Sequence, residues 1–313
     1  MDNNLNKALI SVIICTYNRC NSLKDTLASL VSQKKDDSFY FEIVLVDNNS
    51  KDKTKEVTDS FIPEFNDRLR YFFESRQGLS FARNKGIMEA KGEIVAFADD
   101  DCILDENWIF ALFQTFKKYE ADVVGGKILP IWPQKAPKWL FYNYIQGKLS
   151  LLNYGDKEFR ICSRINELYG CNASYKKSVL VEIGLFNENL GRKGKSLLAG
   201  EDTEIFINLL FSQKKIYYQP KAIVHHKILA ERMKKSFFRK RCFWGGRTVV
   251  KMTKNQIQNQ RILRIPRYLF KDLMVDILKW LSSVFSLNYE KRLFHELEIF
   301  YNSGRIYEYY AKE

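Results

Sequence analysis

Residues 93–108 read EIVAFADDDCILDENW: a β-rich run, EIVAFA, followed by three consecutive aspartates, Asp99, Asp100 and Asp101. A run of that length and side-chain content predicts a buried strand. Adjacent carboxylates repel, and several in one low-dielectric cleft raise at least one pKa unless a cation compensates. Alternate residues of extended chain share a face, so Asp99 and Asp101 turn the same way. A divalent cation with oxygen ligands, Mg2+ or Mn2+, would relieve the repulsion and bridge the aspartates to substrate phosphates. The competing reading is an exposed acidic loop that caps the helix after it.

Three further runs, LISVIICTY (9–17), EIVLVD (42–47) and LRYFFE (69–74), have the same strand character. Between the first two, Leu23, Leu27, Leu30 and Val31 recur at helical spacing; before the acidic run, Phe81, Ile87 and Met88 suggest a helix ending near Gly92. Strands alternating with crossover helices imply an α/β fold with a mainly parallel central sheet flanked by helices. Ligands of such sheets gather outside the carboxyl ends of the strands. Three of these ends are polar: Thr16-Tyr17-Asn18-Arg19, Asp47-Asn48-Asn49-Ser50 and Asp99-Asp100-Asp101. Asp47 is placed to accept hydrogen bonds from a nucleoside base or ribose, and equally to cap the next helix. Agreement among the three ends favours a shared site over isolated caps.

Further along, ADVVGGKI (121–128) predicts a strand closed by its glycines, and Pro130, Pro133 and Pro137 predict a loop after it. LYGCNASYKK (168–177) reads as a strand, SVLVEIG as a short helix and GEDTEIFINLLFSQ (200–213) as a loop entering a helix. IYYQP and AIVHHK read as two short extended pieces.

Length and composition, 313 residues with 46% hydrophobic, supply a substantial core and exclude disorder. The net charge is +13, and residues 228–313, with 18 Lys or Arg against 8 Asp or Glu, carry +10 of it. Such a basic segment suggests an anionic partner surface. In it, Phe237, Phe238, Phe243 and Trp244 interleave with Arg239, Lys240, Arg241 and Arg247. Insertion at an anionic membrane interface, packing over an acceptor cleft and a homodimer contact all remain open for this run. RYLFKDLMVDILKWLSSVF predicts an amphipathic helix with Leu269, Leu273, Ile277, Leu281 and Val284 along one side. The expected organisation is a chemical domain over 1–227 and a basic, largely helical extension over 228–313.

Six cysteines show neither a disulfide framework nor zinc spacing, and the amino terminus has no signal-peptide pattern. No apolar run is long enough to span a bilayer. The expected location is cytoplasmic, with peripheral contact at the cytoplasmic face of the cell membrane. Nucleic acid is not expected as a partner, because zinc-finger spacing and RNA-binding motifs are absent. GxGxxG and GxxxxGK[ST] are absent too, so a bound diphosphate would be neutralised chiefly by metal and basic groups.

Taken together, SVIICTYNR, EIVLVDNNSKDKT, GLSFARNKGIMEAKGEIVAFADDD, GCNASYKKSVLVEIGLFNE and GEDTEI resemble the family 2 glycosyltransferases of GT-A fold across roughly residues 9–227. The resemblance implies a Rossmann-like nucleotide-binding half and inverting transfer of a sugar from a nucleoside diphosphate sugar, a UDP-sugar in the first place, to a hydroxyl. A glycan or lipid-linked saccharide is the implied acceptor, in cell-surface polysaccharide or glycoconjugate synthesis. It implies that Asp47 binds the base, that Thr16, Tyr17 and Arg19 line the nucleoside pocket, and that Arg83 and Asn84 lie near nucleoside or phosphates. It places Asp99 near ribose and metal, Asp100 within the donor-binding segment and Asp101 on the metal. Asp202 matches the general base, although an N-cap role is compatible and Glu201 is a rival. His225 or His226 matches a further metal or diphosphate contact, and His225 is the expected one.

No QxxRW segment or long membrane-spanning tail is present, which favours single-sugar transfer over processive synthesis. The alternatives are a nucleotidyltransferase acting on sugar phosphates, against which GEDTEI argues, and a catalytically inactive carbohydrate-binding relative. Asp47, Asp99, Asp101 and Asp202 standing together argue against the second.

Overall fold

A computed structural model describes residues 8–194, 196–253, 261–262 and 265–311. In chain order the principal elements are β1 (Ala8–Thr16), α1 (Cys20–Val31), β2 (Phe39–Asp47), α2 (Thr54–Phe65), β3 (Leu69–Phe73), α3 (Leu79–Glu89), β4 (Ile94–Asp99), β5 (Cys102–Leu104), α4 (Trp108–Tyr119), β6 (Val123–Ile131), α5 (Asn143–Gln146), β7 (Phe159–Ile161), β8 (Asn172–Lys176), α6 (Lys177–Glu182), α7 (Glu201–Phe211), β9 (Ile216–Lys227), α8 (Lys235–Thr253), α9 (Arg267–Phe285) and α10 (Tyr289–Tyr310). They fall into two compact units. The first comprises Met1–Ile131, Ser150–Asn189 and Glu201–Lys227; the second comprises Trp132–Leu149, Leu190–Gly200 and Ile228–Glu313.

The first unit is built on one sheet of order β3-β2-β1-β4-β8-β6-β9-β5, with β7 also paired to β9. β3, β2, β1 and β4 run parallel. β8 is antiparallel to both of its neighbours, and β5 and β7 are antiparallel to β9. The expected parallel sheet is therefore its amino-terminal half, and the remainder is mixed. Ile10, Val12, Ile13 and Ile14 of β1 are wholly buried. Interrupted only by Ser11, which donates to the buried Glu42 of β2 at 2.7 Å, this apolar run suits a central strand covered on both faces. α1 buries Leu23, Leu27 and Leu30, and α3 buries Ile87, whereas Val31 and Met88 face solvent.

Two expectations give way here. The glycines of GGKI do not end β6, which continues through Pro130 to Ile131 beside β9. The register slips between Gly126 and Ile128, and a Cβ on Gly126 would stand 1.9 Å from the Ala222 carbonyl oxygen. The glycine thus marks a close backbone approach at a bulge inside a strand. IYYQP and AIVHHK, read as separate pieces, form the single strand β9, with β6 as a parallel partner along most of its length. A buried asparagine locks this region: Asn172 accepts from Trp108 Nε1 at 2.8 Å and donates to the Lys127 and Ala222 carbonyls at 2.8 and 2.9 Å.

The second unit is helical. α8 crosses α10 at glycines, where a Cβ on Gly246 would lie 2.0 Å from the Tyr301 carbonyl oxygen and one on Gly304 1.9 Å from that of Phe243. The aromatic-basic run of α8 makes internal contacts. Phe238 is buried edge-on against Trp139, Phe243 meets Tyr307, and Arg239 and Arg247 pair with Glu296 and Glu308. Arg241 donates to the Leu197 carbonyl at 3.0 Å. Leu269 of α9 is buried, but Ile277 and Leu281, placed on the same stripe by periodicity, are exposed. No helix among the described residues is long and apolar enough to cross a membrane.

Candidate active site

Strand register assembles the site. Thr16 pairs with Asp47 across β1 and β2, and Cys15 pairs with Asp99 across β1 and β4, so three polar strand ends stand side by side. Asp47 accepts hydrogen bonds from the Ser50 N–H at 2.8 Å and the Tyr71 hydroxyl at 2.9 Å. Burial and the Asp47 carboxylate together push the Tyr71 phenol upward from its ordinary value. Asp52 holds the first two loops together, accepting from the backbone N–H groups of Cys20 and Thr54 at 3.0 and 3.1 Å. Asn48 donates to the Glu74 and Arg76 carbonyls and accepts from the Gly78 N–H, which ties in the third strand end.

At Asp100 and Asp101 the chain turns out of β4 and re-enters the sheet as β5 against β9. Both carboxylates are buried. Thr16 Oγ1 donates to Asp100 at 2.8 Å, and Arg19 Nη1 reaches Asp100 at 3.1 Å and Asp101 at 2.5 Å. Burial pushes the Asp100 carboxyl up to about 7, against the pull of Arg19. The same contacts act in reverse on the arginine: burial works against its charge, but the two aspartates raise it above its ordinary value.

β9 alternates inward at Ile216, Tyr218, Ala222, Val224 and His226, all buried. Its pairing puts His226 opposite Cys102, with Nε2 3.5 Å from Asp101 Oδ1. His225 occupies the alternate register and is half-buried. His226, and not His225, is thus the histidine beside the acidic corner. The apolar alternation leading up to it is the signal that would have found it.

A second carboxylate group lies at the first turn of α7, where Glu201 and Asp202 meet Arg83 of α3. Arg83 Nη1 is 2.6 Å from Asp202 Oδ1 and 3.1 Å from Glu201 Oε1, and Nη2 is 3.9 Å from Asp99 Oδ1. The guanidinium lies over the rings of Phe97 and Phe186, 5.8 and 5.1 Å from their centroids. Burial disfavours its charge, yet Asp202, Glu201 and Asp99 hold its pKa above the ordinary value. Gly170, which sequence reasoning passed over, donates its N–H to Asp202 Oδ2 at 3.1 Å. A Cβ there would lie 2.5 Å from Arg83 Nη2 and 2.6 Å from Asp202 Oδ1, so only glycine leaves room for the pair.

Contacts join Thr16 and Arg19 to Asp100 and Asp101, and Arg83 to Asp99 and Asp202; the adjacency of Asp99 and Asp100 in the chain brings the two groups together, with Asp47 at the adjoining strand end. Tyr17 is exposed beside them. The Asn84 amide is engaged in both directions by Phe186, donating to its carbonyl and accepting from its N–H at 2.9 Å each. Among the described residues no three acidic, histidine or cysteine side chains are arranged to enclose a metal ion. The Asp101–His226 pair with Asp99 alongside still suits a hard cation. Such ions are commonly held by one or two carboxylates, with substrate phosphates and water completing the shell.

A family model described as glycosyl transferase family 2 matches residues 11–184. The glucosyl-dolichyl phosphate glucuronosyltransferase of Haloferax volcanii is 27% identical over 242 residues, covering 76% of this chain and 75% of that protein. The succinoglycan biosynthesis protein ExoM of Rhizobium meliloti is 26% identical over 240 residues, covering 76% and 73%. Among solved structures, the mannosyltransferase PcManGT of Pyrobaculum calidifontis, in complex with GDP-Man and Mn2+, superposes with a TM-score of 0.65. The match covers 99% of this chain and 89% of that one at 14% identity, a likeness of fold.

Proposed function

This chain belongs to the family 2 glycosyltransferases, and from that premise we propose that it moves one sugar, with inversion, from a nucleoside diphosphate sugar to a hydroxyl of a glycan or lipid-linked saccharide. The observation that carries this reading is the meeting, across Arg83, of the Asp99–Asp101 corner with Asp202. One group of carboxylates suits the donor diphosphate and its cation, and the other suits the incoming hydroxyl. The acceptor class draws on the names of the two relatives, one acting on a dolichyl phosphate sugar and one in succinoglycan biosynthesis.

In this scheme Asp47 receives the nucleoside, with its carboxylate oriented in advance by Ser50 and Tyr71. Thr16, Tyr17 and Arg19 border the same pocket. Asp101 and His226 would hold Mg2+ or Mn2+, with Asp99 alongside, and the bound cation would stabilise charge on the departing diphosphate. Asp202 takes the proton of the acceptor hydroxyl. Arg83 and the Gly170 N–H each engage one of its oxygens, which fixes its direction while leaving lone pairs on both. A single displacement, with the base on the face opposite the leaving group, inverts the anomeric centre. Six free cysteines suit a reducing compartment, in keeping with a reaction on the cytoplasmic side.

The test is a donor screen of UDP-sugars and GDP-mannose with Mg2+ or Mn2+, against saccharide and lipid-linked saccharide acceptors. The products are read as free nucleoside diphosphate and, by NMR, as the configuration of the new linkage. Nucleoside diphosphate with an inverted linkage is the expected result. Pyrophosphate release in a parallel assay with nucleoside triphosphates and sugar 1-phosphates would mark a nucleotidyltransferase, and no turnover with any donor would mark a binding relative; either outcome overturns the proposal.

A further inference from the structure

The basic, aromatic run of α8 is engaged inside the second unit, but α9 presents a different surface. Met274, Ile277, Leu278, Leu281 and Phe285 recur at helical spacing and are all exposed, at 64%, 39%, 62%, 43% and 85%, and Leu287 in the turn that follows is 87% exposed. From Met274 to Phe285 the stripe is about 16 Å long at the helical rise. A continuous apolar stripe of this kind marks an interaction surface, whereas scattered apolar residues do not.

The charges of α9 are sorted around this stripe. Its acidic side chains are paired within the unit: Asp276, turned inward, meets His295 at 3.1 Å and Asn302 at 2.9 Å, and the partly exposed Asp272 meets Arg305 at 3.0 Å. Lys271, one turn before Met274, and Lys279, next to Leu278, are exposed and make no ion pair among the described residues. The surrounding segment, 228–313, has 18 basic against 8 acidic residues. An apolar stripe bordered along one side by cations suits an interface that is apolar within and anionic at its rim. A second copy of the chain suits it less, because a symmetric contact would bring two equally basic segments together.

We propose that α9 is a membrane-docking helix: it lies along the surface of an anionic bilayer, with Met274, Leu278, Leu281 and Phe285 at the boundary between headgroups and acyl chains and Lys271 and Lys279 against the anionic headgroups. This surface is distinct from the site assembled in the first unit, and the inference does not depend on which sugar is transferred or to what. It moves the membrane contact away from the α8 aromatics, most of which pack internally.

The test is flotation of the full-length protein with vesicles of phosphatidylcholine alone and of phosphatidylcholine with about one-third phosphatidylglycerol, at low and high salt. The expected result is binding to the anionic vesicles, weakened by salt. Substituting Leu278→Gln, Leu281→Gln and Phe285→Ser together should lower partitioning at least about tenfold, because these side chains contribute apolar burial only in the bound state. Lys271→Glu with Lys279→Glu should abolish the preference for anionic lipid. The thermal midpoint of each variant, measured in parallel, should stay near that of the parent, since the substituted side chains are exposed. Absence of flotation with anionic vesicles at low salt, or flotation unchanged in the apolar triple variant, overturns the proposal. So does light scattering that shows a dimer dissociated by the same triple variant without any vesicle binding, which would assign the stripe to a second copy.

Discussion

Arg83 and Asp202, separated by 119 residues, are joined by a contact of 2.6 Å between Nη1 and Oδ1, with the guanidinium almost completely buried. A buried arginine needs carboxylate partners, and this one has them at Asp202 and Glu201. Asp202→Asn keeps the size of the side chain but removes the carboxylate proposed to accept the proton. The expected loss in kcat is about 10²- to 10⁴-fold, with donor affinity by calorimetry nearly unchanged. Glu201→Gln should reduce turnover far less, and near-normal turnover in Asp202→Asn would remove the base assignment.

Gly170 is the spacer that lets this pair form. Gly170→Ala places a Cβ 2.5 Å from Arg83 Nη2 and 2.6 Å from Asp202 Oδ1, so one of the two must move. Overpacking of this kind costs roughly 1–3 kcal/mol, readable in a denaturant titration. The kinetic expectation is a kcat reduced more than the donor KM is raised, because Gly170 touches Asp202 directly and reaches Asp99 only through Arg83. An alanine variant with parental kcat would show that the Arg83–Asp202 geometry is not needed for transfer.

The two histidines of β9 separate by face. His226 Nε2 lies 3.5 Å from Asp101 Oδ1, while His225 belongs to the alternate register. Titration of Mn2+ in the presence of nucleoside diphosphate, followed by electron paramagnetic resonance, should show at least about tenfold weaker binding in His226→Ala, as expected on losing one of a few ligands. His225→Ala should bind like the parent. The reverse pattern would return the assignment to His225.

Asp100 makes the metal-free protein sensitive to pH in a defined direction. Its carboxyl, raised by burial from 3.8 to about 7 despite Arg19, holds its proton more tightly in the folded than in the unfolded chain. The stability this contributes is complete below the unfolded value and is lost as pH rises through the folded one. With a chelator present, the stability of Asp100→Asn relative to the parent should therefore increase from pH 5 to pH 8, by on the order of 2–3 kcal/mol. A difference that stays flat over that interval would contradict a raised carboxyl at this position.

Much of this site was legible in order but not in partnership. The apolar runs ending at Thr16, Asp47 and Asp99 announced three strand ends, because a strand buried on both faces is near-continuously apolar and gathers polar residues chiefly where it emerges. The side-chain amide of Asn84 is held in both directions by the Phe186 backbone. Nothing local to residue 84 specifies a partner at residue 186. Arg19 illustrates the same limit: as one residue of a polar loop it gave no sign that it would clamp Asp100 and Asp101 across more than 80 positions of sequence.

The amino-acid sequence by itself determined the alternation of strands and helices, the position of the acidic corner and the presence of a basic segment after residue 227. Those features follow from periodicity and composition, which act over a few neighbouring residues. Tertiary structure alone decided that His226 and not His225 faces Asp101, that Gly170 admits the Arg83–Asp202 contact, and that the exposed apolar stripe belongs to α9 and not to the aromatic run of α8. Each depends on strand register or helix packing between distant parts of the chain, such as β5 against β9 and α8 against α10. A shift of one residue in such a pairing exchanges the two faces of a strand.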